Sequence, residues 1–78
     1  MILDMLNKTE LEYLTSLGFA FDPKEPISDD MLEELFEKCV EIEISYAQDQ
    51  EEKGLYYKNE KAQIAVSIVT KISTHPDW

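Results

Sequence analysis

SDDMLEELFEKCVEIEISYAQDQEEKG, residues 28–54, is the stretch whose reading decides the fold, because it is the longest run free of proline and interior glycine and it holds ten of the seventeen acids. Ser28 has the chemistry of an N-cap, since its hydroxyl can accept from the free N–H groups of a first helical turn. Asp29 and Asp30 place negative charge where the helix dipole favours it, and Ile27 with Leu32 has the spacing of a hydrophobic staple. Gly54 suits a helix-ending position. Read as a helix, the stretch gathers Met31, Leu32, Leu35, Phe36, Cys39, Val40, Ile42, Tyr46 and Ala47 on one broad apolar arc, wide enough to meet two neighbours. The opposite face carries Asp30, Glu33, Glu34, Glu37, Glu41, Gln48, Glu51 and Glu52, with Ile44 among the acids. Glu43 falls near the middle of the apolar arc. If buried it needs a lysine of the last helix or a tyrosine hydroxyl as partner; a splayed helix would let it reach water instead.

The same residues admit a second reading. Val40, Ile42, Ile44 and Tyr46 alternate with Glu41, Glu43 and Ser45 at the period of a strand, and so do Ile64, Val66, Ile68, Thr70 and Ile72. Strands near 40–47 and 64–72 could pair, giving an α+β fold. Against this, the strand phase turns Ala65 and Val69 outward, whereas Ile64, Ala65, Ile68, Val69 and Ile72 form one helical stripe.

Upstream, Asn7 with Glu10 has the spacing of a capping box, and Leu11, Leu14 and Leu17 give an apolar stripe. Gly18 then fits the left-handed position after a helix, with Phe19 placed to touch Leu14. Phe19 and Phe21 are expected to plug the end of the core. Pro23 and Pro26 resist helix and make DPKEP a stiff connector. Pro76 ends the last helix, leaving Trp78 packed back or frayed. The expected fold is therefore an all-α bundle of three helices, near 8–17, 29–53 and 58–73, with a long central acidic helix in a single domain spanning 1–78.

Composition narrows function. The net charge is −10 over 78 residues, and all seven cations are lysines. Without arginine the chain lacks the side chain best suited to bidentate phosphate or guanine recognition, so direct nucleic-acid binding is not expected, nor is binding to an anionic membrane. Residues 1–54 carry fifteen acids and four lysines, whereas residues 55–78 carry two acids and three lysines. The acidic field belongs to one part of the molecule and suits a basic protein partner. Cys39, the single cysteine, is expected to be a buried, inert thiol, in keeping with a reducing, cytoplasmic setting. The opening MILDML lacks the basic segment and the length of a signal peptide or membrane span.

No constellation of catalytic type is present. His75 is the single histidine, no Ser/His/Asp arrangement is recognisable, and both glycines fall at helix ends rather than in a phosphate-binding loop. Glu34, Glu37 and Glu41 have a spacing that could hold a hard cation, but a solvated acidic face is the commoner meaning of such a run. The chain is thus expected to be non-enzymatic, with no cofactor and no metal. Tyr56 and Tyr57 cannot both face one core, so one of them should be exposed beside the carboxylates. Tyrosine there is suited to a binding anchor because it offers large area with little entropy to lose.

Thr9-Glu10-Leu11-Glu12-Tyr13 with Leu14, Leu32-Glu33-Glu34-Leu35 in the acidic helix, Leu55-Tyr56-Tyr57 after it, and Ser67-Ile68-Val69 with Lys71 in the last helix follow one another in an order that resembles the colicin and pyocin nuclease immunity proteins, small acidic helical inhibitors. The family has a proline directly after its tyrosine pair, where this chain has Lys58, and a tryptophan inside the last helix, where this chain has Trp78 beyond it. The resemblance implies a binding mode in which Glu33, Glu34, Glu37, Glu41 and Ile44 form a specificity face and Tyr56 and Tyr57 an anchor. A different reading is a small structural module that forms a homo-oligomer through Phe19, Phe21, Tyr56 and Trp78.

Overall fold

A computed structural model describes residues 5–19, 27–76 and 78, and among them three helices and no strand form: α1 Lys8–Ser16, α2 Asp29–Lys53 and α3 Glu60–Ser73. Both stretches that could have been strands are helical throughout. The helix ends follow from the capping residues. Asn7 Oδ1 accepts from Glu10 N at 2.8 Å while Asn7 N donates to Glu10 Oε1 at 2.9 Å, completing the capping box. At the other end of α1, Gly18 at φ 103° lets its N–H reach Thr15 O at 3.0 Å and lets Phe19 N–H reach Leu14 O at 3.2 Å. That pair of bonds satisfies two carbonyls that the end of a helix leaves unpaired. Ser28 accepts from Met31 N at 3.2 Å, and α2 stops where Gly54 turns to φ 99°. α3 begins two residues later than its apolar pattern suggests, because Asn59 caps it by accepting from Ala62 N at 3.2 Å.

The short connection after α2 returns the chain antiparallel. Gln63, near the start of α3, donates to the Tyr46 hydroxyl in the second half of α2, and Trp78, beyond the end of α3, stacks on Phe36 in its first half with ring centroids 4.6 Å apart. Trp78 is therefore packed back, with half its surface still exposed. α3 packs along α2 and also against α1. α1 covers one half of this hairpin: Glu10 reaches Ser67 and Lys71, and Tyr13 lies beside Cys39. There Leu14, Leu35, Cys39, Ala65, Ile68 and Ile72 lose all contact with water, closed off by Leu6 and Leu32. Each fully buried Leu or Ile contributes about 1.5–3 kcal/mol. Phe19 is half-buried against this core as expected, whereas Phe21 lies outside the described residues.

The packing narrows the reading of the apolar arc and places Glu43, for which both a buried and a water-reaching position stood open. The apolar arc of α2 is not buried along its length: Leu32, Leu35 and Cys39 are buried, Val40, Ile42 and Tyr46 are half-buried, and Ala47 is exposed. α1 has 9 residues against the 25 of α2, and at about 1.5 Å per residue it cannot cover the whole hairpin. Glu43, on the thinly covered part, is half-buried. The acid that is buried is Glu10, with 2% of its surface exposed. Its carboxylate accepts from Lys71 Nζ and from Ser67 Oγ at 3.0 Å besides the Asn7 backbone. The lysine of the last helix that a buried acid requires is there, but it serves α1 rather than α2.

Candidate functional site

The outer face of α2 is a charged surface that the fold leaves uncovered. Leu32, Leu35 and Cys39 fix which side of the helix meets α3, and the 3.6-residue period then turns Glu33, Glu34, Glu37, Glu41 and Ile44 directly away from it. All four glutamates are exposed, and Ile44 is 54% exposed. Among the described residues Glu33, Glu34 and Glu37 form no ion pair, while Glu41 lies 3.9 Å from Lys38 in an exposed pair of small worth. The face thus keeps its charge available and carries one aliphatic side chain with more than half of its surface in water.

The tyrosines separate as adjacent residues must. Tyr56 is 96% exposed, and Leu55 beside it is 84% exposed. Tyr57 is half-buried and tied down: its carbonyl accepts from the Tyr46 hydroxyl at 3.3 Å and from Gln50 Nε2 at 3.4 Å. Its ring meets that of Tyr46 edge-on at 6.2 Å, with Lys53 Nζ 4.5 Å from the ring centroid. Tyr46 and Ile44 are two residues apart in a helix and so point to opposite sides. Tyr57, docked on the Tyr46 side, is therefore not brought together with Glu33, Glu34, Glu37, Glu41 and Ile44. The expected face and its expected anchor lie on two different parts of the surface, with Tyr56 projecting from the hairpin tip. Leu55, which precedes the tyrosine pair directly after the helix-ending glycine, is a surface residue as well.

Elsewhere the chemistry is that of packing. Burial pushes the Cys39 thiol up to about 11, so it stays protonated near neutral pH. Burial also raises Tyr13, with Cys39 adding to the effect. Among the described residues no three His, Cys, Asp or Glu side chains converge as metal ligands would, and no helix is long and apolar enough to cross a membrane. Comparison of the chain with protein families, with curated proteins and with solved structures gives no match in any of the three.

Proposed function

We propose that this chain is a non-enzymatic acidic binding module that inhibits or regulates a basic protein by presenting the outer face of α2, as an immunity protein or a nucleic-acid mimic would. The observation that carries the reading is the row of exposed carboxylates at Glu33, Glu34, Glu37 and Glu41 running up to a half-exposed Ile44. Exposed carboxylates of one sign steer a cationic partner into encounter, and a central apolar side chain that loses water on docking slows its release. The same field repels nucleic acid and anionic lipid, and a single cysteine, with no second one to form an internal disulfide, suits a reducing, cytoplasmic setting. Tyr57 is engaged by the hairpin and drops from the binding set, leaving Tyr56 as the tyrosine able to touch a partner.

The test begins with affinity capture of a basic protein from the native host, followed by kinetics against that protein. Glu34→Gln, Glu37→Gln and Glu41→Gln together should flatten the salt dependence of association, while Ile44→Ala should raise the dissociation rate. Unchanged salt dependence in the triple variant would overturn the reading. A second reading, a structural module that self-associates, is favoured by the exposure of Leu55 and Tyr56. Phe19 is withdrawn from that surface by its packing on the core.

A further inference from the structure

Phe36, Val40 and Ile44 follow one another along α2 at four-residue steps, with Ala47 three further on, so the four form one apolar row about 16 Å long on the flank of the helix. Phe36 and Val40 are half-buried, and Ile44 and Ala47 are exposed. Trp78 extends the row at one end: its ring stacks on that of Phe36 with centroids 4.6 Å apart and keeps half its own surface in water. Carboxylates border the row. Glu33, Glu37 and Glu41 each stand three residues before one of its members, and Glu51 stands four after Ala47; all four are exposed. Glu43, three residues after Val40 and four before Ala47, borders the inner side and forms no ion pair among the described residues. No lysine lies three or four residues from any member of the row, and Lys38 meets Glu41 at 3.9 Å from the far side.

We infer that this flank of α2 receives a cationic amphipathic helix, laid along Phe36, Val40, Ile44 and Ala47 with its lysines or arginines on the bordering carboxylates. This rests on the reading of a basic partner and names the element of that partner that docks. An apolar row rimmed by charge of one sign is the complement of a helix with apolar residues on one face and cations beside them. Such a helix repeats its apolar side chains at the same three- and four-residue steps, so each of its turns can meet one member of the row and one carboxylate. The two parts of the surface then do different work. Exposed carboxylates draw in any polycation, and salt screens that attraction beyond about 8 Å. The apolar row loses water only to a partner whose own apolar residues fall on one face, so it selects among cations. A segment of this length is marginal as a helix by itself and gains its helical form on the row.

Two synthetic peptides of about 14 residues, made only of leucine and lysine, test the docking row. One has leucine at every third and fourth position, and the other holds the same residues rearranged so that no face is apolar. At physiological salt the first should bind, gain helix content by circular dichroism and shift the emission of Trp78, the single tryptophan, to the blue as its exposed half is covered. The rearranged peptide should bind about tenfold more weakly and leave that emission in place. Val40→Ser and Ile44→Ser should each weaken the first peptide about tenfold, with circular dichroism showing the helices of the protein intact. Glu33→Gln with Glu37→Gln should weaken it about threefold and flatten its salt dependence, whereas Glu34→Gln with Glu52→Gln, which removes the same charge from positions off the row, should change it less. Equal binding of both peptides with Trp78 emission unmoved would overturn the docking row while leaving the acidic-face reading standing. Binding of neither peptide even at low salt would overturn both. A chain that sediments as a dimer and is returned to monomer by Val40→Ser or Ile44→Ser would give the row to a second copy and overturn the cationic helix.

Discussion

The two halves of α2 are built from similar residues and end in opposite conditions. From Leu32 to Cys39 the helix is sealed by α3 together with α1, and Leu35 and Cys39 have no exposed surface. From Ile42 to Lys53 no residue is fully buried; Ile42 packs on the edge of the core, and beyond it hydrogen bonds and a ring contact join Tyr46, Gln50, Tyr57 and Gln63. Stability is thus concentrated in one half, while the other half is covered on its inner side alone, by the start of α3 and the turn after Gly54, with acids and Ile44 on its outer side. Folding uses the inner face of this helix, while Glu33, Glu34, Glu37, Glu41 and Ile44 all lie on the outer one, three of them beside the sealed turns, so that changes there leave the core alone.

The largest effect should come from the sealed half. Leu35→Ala or Ile68→Ala removes a side chain with no room to collapse and should cost about 2–5 kcal/mol in urea denaturation. Next comes the Glu10 network. Lys71→Met strands a buried carboxylate and should cost more than Glu10→Gln, which leaves Lys71 free to reach water and should lose about 1.5–3 kcal/mol. The order of the two variants is the check.

The same network makes a pH prediction. Burial by itself raises the Glu10 pKa, but the bonds from Lys71, Asn7 and Ser67, with the Lys71 charge, outweigh it and leave the group below its ordinary 4.5. A carboxylate lowered on folding contributes stability that is complete above 4.5 and is lost as pH falls through the lower folded-state value. Acid unfolding of Glu10→Gln should accordingly lack that part of the pH dependence.

On the open half, Tyr46→Phe should cost about 1 kcal/mol, since it removes a hydroxyl shared between Tyr57 and Gln63. Amide exchange should be faster from Ile42 onward than from Leu32 to Cys39, because few apolar contacts guard those turns. Equal protection along α2 would remove the contrast between the halves. The smallest effect belongs to Tyr56→Ala, within about 0.5 kcal/mol of the parent, as for a side chain that the fold does not use.

What the sequence determined by itself was local. Asn7 with Glu10, Gly18 with Phe19, Ser28 and Gly54 set their helix ends through bonds reaching three to five residues along the chain, and the 3.6-residue stripe chose helix over strand at 40–47 and 64–72. The outward set Glu33, Glu34, Glu37, Glu41 and Ile44 was legible for the same reason, as the complement of that stripe. What the tertiary structure alone decided was coverage. That α1 closes one half of the hairpin depends on where a 9-residue helix comes to rest, and no periodicity encodes that. Hence Glu10, which local spacing explains fully as a cap, turned out to be the buried acid. Glu43, apolar-facing by the same wheel, stayed half-buried on a stretch with too little above it. The separation of Tyr57 from the acidic face has the same origin, because Gly54 ends the helix and the turn after it, closed on Tyr46 and Gln50, carries Tyr57 to the inner side.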